Sequence, residues 1–166
     1  AVAWRTVLEH TDRPSALVLT RQDVPTADRT QCASAEGTAR GGYVLSEASS
    51  DPQLILIATG SEVGVALEAQ LSLEKAGVPT RVVSMPCQEW FDAQDADYRE
   101  QVLPSDVKAR ISVEAGIAMG WGKYVGCEGA SVSIERFGAS ASGDVCMEKF
   151  GMTAEHVVTV AQRLLS

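Results

Sequence analysis

Three polar positions stand where a strand is predicted to end. Arg21, the turn Gly60-Ser61-Glu62 and Glu114 each lie at the end of an apolar run. Ligands of open α/β sheets bind at the carboxyl ends of strands, so chemistry is expected there. A guanidinium can hold a phosphate or carboxylate with two hydrogen bonds, and free N–H groups at a helix start can hold an anion. A desolvated carboxylate such as Glu114 can act as a general base.

Each position also has a structural explanation. In the turn, Gly60 permits a tight bend, Ser61 can cap the following helix, and Glu62 suits the helix dipole. Capping is favoured over ligand binding here, since the chain lacks the glycine-rich dinucleotide and phosphate-loop motifs. Glu114 is expected to cap the next helix or to pair with Lys123. From the pattern alone, the arginine is more simply explained as pairing with a neighbouring acid.

Composition excludes several other kinds of site. No Ser-His-Asp set, paired histidines or metal-spaced carboxylates are apparent, so we expect no catalytic, cofactor-binding or metal-binding residues within this chain. The net charge of -8 disfavours nucleic-acid binding. No apolar run approaches the roughly 20 residues that span a bilayer, so no membrane partner is expected. Free thiols are predicted for the four irregularly spaced cysteines, Cys32, Cys87, Cys127 and Cys146.

Apolar strands alternate with helical patterns from Gly41 onward. The predicted strands are 42–46, 54–59, 81–84, 109–114 and 131–135. The predicted helices are 62–76, 95–102, 119–125, 144–150 and 154–165. In the first helix, the four-residue spacing of Val63, Leu67 and Leu71 indicates the buried face. The alternation predicts the α/β class: a three-layer α/β/α domain with a mostly parallel, five-stranded sheet.

The first 40 residues are organised differently. Residues 1–10 show helical periodicity with no capping residue before them, and residues 16–19 form an apolar run typical of a strand buried on both faces. A helix and a strand cannot form a domain alone, so we expect residues 1–22 to end a preceding domain that is cut at Ala1. Residues 23–40, with little apolar periodicity, are predicted to be a linker to a complete domain, 41–166.

A series of short blocks resembles transketolases in sequence and in order. The blocks are 15–22, 39–45, 54–63, 81–86, 91–95, 98–100, 102–104, 113–116 and 137–141. Each is weak alone, but the ordered set covers nearly the whole chain and is specific. Deoxyxylulose-phosphate synthase and the pyruvate dehydrogenase β-chain share the fold. Neither family has a Met-Pro pair followed by a Phe-Asp-x-Gln-Asp block in the form seen here at Met85-Pro86 and 91–95.

The resemblance implies a transferase of the pentose phosphate pathway. Transketolases use thiamine diphosphate and a divalent cation, Mg²⁺ or Ca²⁺, to transfer a two-carbon ketol unit from a ketose phosphate to an aldose phosphate. Members of this family are cytoplasmic homodimers. Their first two domains carry the catalytic and cofactor-binding groups. On this basis, residues 1–22 end the middle, pyrimidine-binding domain and 41–166 form the C-terminal domain. The piece alone is expected to be inactive and to bind neither cofactor nor metal.

One family residue carries over to this chain. Arg21 matches the arginine that grips the phosphate end of the substrate, and this reverses the preference reached from the pattern alone. The C-terminal domain has no catalytic residue to inherit, so its expected role is to pack on the other domains and support the dimer. The alternative is a stand-alone α/β binding or regulatory module that uses the Gly60-Ser61-Glu62 turn.

Overall fold

A five-stranded sheet with helices on both faces forms the centre of the protein, and the computed structural model describes all 166 residues. The strands are β1 (Tyr43–Ser46), β2 (Leu54–Ala58), β3 (Thr80–Ser84), β4 (Arg110–Val113) and β5 (Ala130–Val132). Their spatial order is β1-β3-β2-β4-β5, and only β1 runs antiparallel. The predicted α/β class with a mostly parallel sheet is confirmed.

Seven α-helices and two 3₁₀ helices accompany the sheet. The α-helices are α1 (Val2–Glu9), α2 (Glu62–Lys75), α3 (Gln88–Asp92), α4 (Ala96–Val102), α5 (Gly122–Val125), α6 (Gly143–Lys149) and α7 (Ala154–Leu164). The 3₁₀ helices are Ala35–Arg40 and Ala118–Gly120. No helix has the length and apolar character needed to cross a membrane. The short helix α3 was not among the sequence predictions.

Strand β2 divides its side chains between two cores. All five of its residues have a relative exposure of 0%. Leu54, Leu56 and Ala58 belong to a cluster of 16 buried residues that includes side chains of α2 and α7. Ile55 and Ile57 belong to a second cluster of 9 residues, with side chains of α3, α4 and α5. Because successive side chains of a strand point to opposite faces, a strand covered on both sides must be apolar throughout.

Helix α2 turns a different face to the sheet from the one that the sequence predicted. Ala66, Ala69 and Leu73 are fully buried, whereas Leu71 is 60% exposed. The four-residue spacing of large side chains was therefore the wrong guide to the packed face. Small alanines face the sheet here, and they allow the helix to approach it closely.

The apolar run 16–19 is not a strand in this structure, so that prediction is wrong here. Val18 is 89% exposed and Leu19 is 73% exposed. The backbone of residues 11–27 makes no backbone–backbone hydrogen bond. A strand needs a neighbour that accepts and donates its backbone hydrogen bonds, and no strand of this chain lies beside this run.

The N-terminal segment nevertheless packs on the rest of the chain. Helix α1 contacts the 3₁₀ helix Ala35–Arg40, where Arg5 forms an ion pair with Glu36. The ring of His10 stacks on Trp90 with centroids 4.8 Å apart. The predicted linker 23–40 thus ends in a 3₁₀ helix that contacts α1 as well as β1 and α3 of the α/β domain. The proposed domain boundaries stay a prediction.

Two glycines with the same φ angle provide a test of the packing. Gly41 and Gly77 both have φ of 81°. A Cβ at Gly41 would lie 2.3 Å from the backbone O of Cys87 and 2.3 Å from the backbone N of Phe91, whereas a Cβ at Gly77 has open space. We expect Gly41→Ala to lower the free energy of unfolding by about 3 kcal/mol, because strain and overpacking add. Gly77→Ala should cost about 1 kcal/mol, from backbone strain alone.

Urea unfolding of both variants measures this difference. Equal losses for the two substitutions would contradict the close packing around Gly41.

Candidate functional site

The carboxyl ends of β2 and β4 lie side by side where the connections of the sheet diverge. From β2 the chain passes through α2 to β3 on one side, and from β4 it passes through α5 to β5 on the other. These helices pack on opposite faces. Such a divergence opens a crevice in which ligands of open α/β sheets bind. Ala58 pairs with Val113, so the next residues, Thr59 and Glu114, both lie at this crevice.

A pocket of about 550 Å³ occupies the crevice. We call it the switch-point pocket. Its floor comes from the strand ends and the start of α3, including Thr59, Met85 and Glu114. The opposite wall comes from the N-terminal segment, including Arg13 and Leu17. Its volume lies within the range of roughly 300–1,000 Å³ that is usual for small-molecule sites.

Glu114 is held at the floor of this pocket by a buried tryptophan. The indole Nε1–H of Trp121 donates to Glu114 Oε2 at 2.6 Å, and Trp121 is only 2% exposed. Hydrogen bonds to a carboxylate are shorter and stronger than those between neutral groups. Since the core fixes the indole, it also fixes the carboxylate. The second oxygen, Oε1, makes no hydrogen bond within the chain.

The partner of Glu114 differs from the sequence prediction. Lys123 forms its ion pair with Asp92 instead, and Tyr124 also donates to Asp92, at 3.0 Å. The expected pairing of Glu114 with Lys123 is therefore wrong. Trp121 and Tyr124 are both buried and belong to the second core cluster. Sequence reasoning missed the additional bond to Glu114, because a 3₁₀ turn rather than a regular helix sets the direction of the indole.

A half-buried thiol also borders the switch-point pocket. Burial raises the pKa of Cys87 above its usual value, and a hydrogen bond to Glu89 raises it further, while a backbone hydrogen bond from Trp90 opposes the shift. The Cys87 Sγ lies 3.5 Å from Glu89 Oε2. A raised pKa leaves less of the nucleophilic thiolate, so the geometry favours an inert thiol. All four cysteines are free, as predicted.

Arg21 lies outside this pocket. It is exposed, and its guanidinium makes no hydrogen bond or ion pair within the chain. Its expected position after a buried strand is not formed here, because residues 16–19 have no neighbouring strand. The pairing with a local acid, which the pattern alone favoured, is not formed either. The side chain is thus available to a group outside this chain.

The Gly60-Ser61-Glu62 turn adopts the predicted tight bend but not the predicted cap. Gly60 has φ of 57°. Ser61 already has helical backbone angles and accepts no capping hydrogen bond. Its hydroxyl instead donates to Glu62 Oε1 at 2.6 Å. The turn borders a second pocket of about 610 Å³, whose other side is formed by residues 24–28 and 31–32.

The side chains of this chain do not form a site for a metal-bound diphosphate. No group of three or more His, Cys, Asp or Glu side chains is arranged to hold a metal ion. The basic side chains near the switch-point pocket do not compensate, because Arg13 is bound to Asp12 at 2.6 Å.

Comparison with known proteins adds an independent observation. Residues 41–153 match the family model described as the transketolase-like TK C-terminal domain. A transketolase from Halalkalibacterium halodurans is 50% identical over 163 residues, which cover 98% of this chain and 24% of that protein. A transketolase from Bacillus subtilis is 44% identical over 167 residues, which cover 100% of this chain and 25% of that protein. The chain spans about a quarter of these relatives' length.

Solved structures agree with these matches. A transketolase from Pichia stipitis, described as a complex with sedoheptulose 7-phosphate, superposes with a TM-score of 0.89 at 35% identity, over 99% of this chain and 23% of that one. A split-gene transketolase, described as an inactive beta4 tetramer, has a TM-score of 0.59 at 25% identity, over 75% of this chain and 42% of that one.

Alkylation kinetics test the environment of Cys87. We expect iodoacetamide to modify Cys87 several times more slowly than the exposed Cys127, because burial and the raised pKa both reduce attack. Glu89→Gln should speed modification of Cys87 and leave Cys127 unchanged. Mass spectrometry of the digested protein gives both rates. Equal rates at the two thiols in the unchanged chain would contradict this account of the pocket wall.

Proposed function

The chain belongs to the transketolase family, and we propose that it is the C-terminal part of an enzyme that transfers a two-carbon ketol unit from a ketose phosphate to an aldose phosphate. One observation carries this proposal. The match runs collinearly through 98% of the chain at 50% identity, yet it covers only 24% of the relative. Identity at that level, extending through both the N-terminal segment and the α/β domain, supports a shared activity for the complete protein.

The cofactor chemistry belongs, in this proposal, to the remaining part of the enzyme. Bound thiamine diphosphate with Mg²⁺ or Ca²⁺ supplies the carbanion chemistry of ketol transfer. This chain offers no group of three metal-ligating side chains. The related split-gene protein described as an inactive tetramer also supports a cofactor site outside this chain. We infer that the chain alone is inactive and that its α/β domain supports assembly of a cytoplasmic homodimer.

The N-terminal segment, residues 1–22, belongs in this proposal to a different domain from the five-stranded sheet. We assign residues 1–22 to the middle, pyrimidine-binding domain, residues 23–40 to the linker, and residues 41–166 to the C-terminal domain. The exposure of Val18 and Leu19 supports this assignment, because such an apolar run is stable only when it is covered. The unpaired backbone of the same run supports it further, since it can join another sheet.

Arg21 is the proposed substrate contact in this chain. A guanidinium matches the geometry of a phosphate and forms two parallel hydrogen bonds with it. Gripping the phosphate end supplies binding energy that orients the distant reacting carbon. The exposed, unpaired state of Arg21 supports this role, because no ion pair inside the chain must break when phosphate binds.

Cofactor titration tests whether the cofactor site lies outside this chain. We expect calorimetric titration of the isolated chain with thiamine diphosphate and Mg²⁺ to show no saturable heat and the chain to have no ketol-transfer activity. The complete enzyme serves as the positive control under the same conditions. Tight, Mg²⁺-dependent binding by the isolated chain contradicts the proposal.

Substitution of Arg21 tests the phosphate contact in the complete enzyme. Arg21→Ala should raise KM for phosphorylated sugars about ten- to hundred-fold, because hydrogen bonds to charged groups contribute about 1.5–3 kcal/mol. KM for unphosphorylated sugars should change little. Arg163→Ala, at an exposed position on α7, is the matched control and should leave both unchanged. Equal effects of Arg21→Ala on both substrate classes exclude a phosphate role.

A further inference from the structure

We propose that the switch-point pocket binds a small organic cation, a protonated amine on an apolar body, with Glu114 as its counter-ion. This site differs from the proposed substrate contact, because Arg21 does not line the pocket. It also requires no part of the thiamine chemistry.

The switch-point pocket lies where α/β sheets usually bind ligands. The pocket opens at the carboxyl ends of β2 and β4, where the helices that follow these strands leave to opposite faces. This divergence is where α/β sheets of unrelated function bind their ligands. In this chain it leaves Thr59 and Glu114 facing a cavity of about 550 Å³.

The charge of the side chains that line the pocket selects the class of ligand. Two carboxylates, Glu89 and Glu114, line the pocket, and Arg13 is its one cationic side chain. Arg13 is already neutralised by two hydrogen bonds to Asp12, at 2.6 and 3.0 Å. The pocket thus carries a net negative charge, which favours a cation over a phosphate or carboxylate.

Geometry shows that Glu114 is prepared for such a partner. Its Oε2 is occupied by the buried indole of Trp121, so the carboxylate cannot rotate freely, while Oε1 has no partner within the chain. A fixed carboxylate with one unused oxygen can accept a hydrogen bond from an ammonium group without paying a new ordering cost.

The walls give the size and character of the rest of the ligand. Met85, Pro86 and Leu17 provide apolar surface, and Trp90, whose ring stacks on His10, adds aromatic surface. An ammonium group attached to an apolar or aromatic body therefore fits better than an inorganic cation, which would leave these walls uncovered.

Three compounds of similar shape and different charge test the proposal. The isotopically labelled chain is titrated at low ionic strength with phenethylammonium, with neutral 2-phenylethanol and with anionic phenylacetate, and the indole N–H resonance of Trp121 is followed. We expect a saturable shift with phenethylammonium and at least about ten-fold weaker binding of the other two compounds. Stronger or equal binding of phenylacetate, or no saturable shift up to about 10 mM phenethylammonium, overturns the proposal.

A pair of variants removes one negative charge at two different places. Glu114→Gln keeps an oxygen acceptor for Trp121 but should weaken phenethylammonium binding at least about ten-fold. Glu128→Gln, at an exposed position outside the pocket, should leave the affinity unchanged. Urea unfolding confirms that both variants are folded. Equal affinity in the Glu114→Gln variant and the unchanged chain overturns the assignment of Glu114 as the counter-ion.

Discussion

Strand β2 can exist only if both faces of the sheet are covered, and the rest of the domain follows from that constraint. Its five residues are fully buried. Parallel neighbours need crossover connections, and the helices in these connections supply the two covering layers. Helices α2 and α7 cover one face, and α3 to α5 cover the other. The change of face between the connections after β2 and β4 then creates the switch-point pocket, so the site is a direct consequence of how the core is covered.

The same constraint explains why the apolar run 16–19 behaves differently. Its sequence is as apolar as that of β2, but no strand lies beside it, and Val18 and Leu19 stay exposed. The matched relatives are about four times as long as this chain, and in our proposal a strand in the remaining part of the complete protein lies beside this run. In that account, residues 1–22 end the middle domain, and residues 23–40 connect it to the α/β domain. Helix α1 already packs on the 3₁₀ helix Ala35–Arg40, and the run 16–19 is left to pair with a sheet elsewhere.

Sequence reasoning recovered the sheet well because continuous apolar runs and their spacing are local signals. All five strands of the α/β domain begin and end within three residues of their predicted bounds. The buried face of α2 was not predictable from its large side chains, because small alanines pack on the sheet. The bond between Trp121 and Glu114 depends on a 3₁₀ turn and on a core contact, neither of which has a sequence pattern. For Arg21, the pattern alone favoured a pairing with a neighbouring acid, and only the family resemblance led to the phosphate role, which stays a prediction.

Hydrogen exchange at residues 16–20 is the most direct test of the claim that this chain is one part of a larger sheet-sharing enzyme. The account predicts fast, unprotected amide exchange for these residues in the isolated chain and slow exchange in the complete enzyme. Amides of β2 should be protected in both and serve as the internal reference. Equal exchange at residues 16–20 in the two proteins, whether fast or slow, would contradict the account.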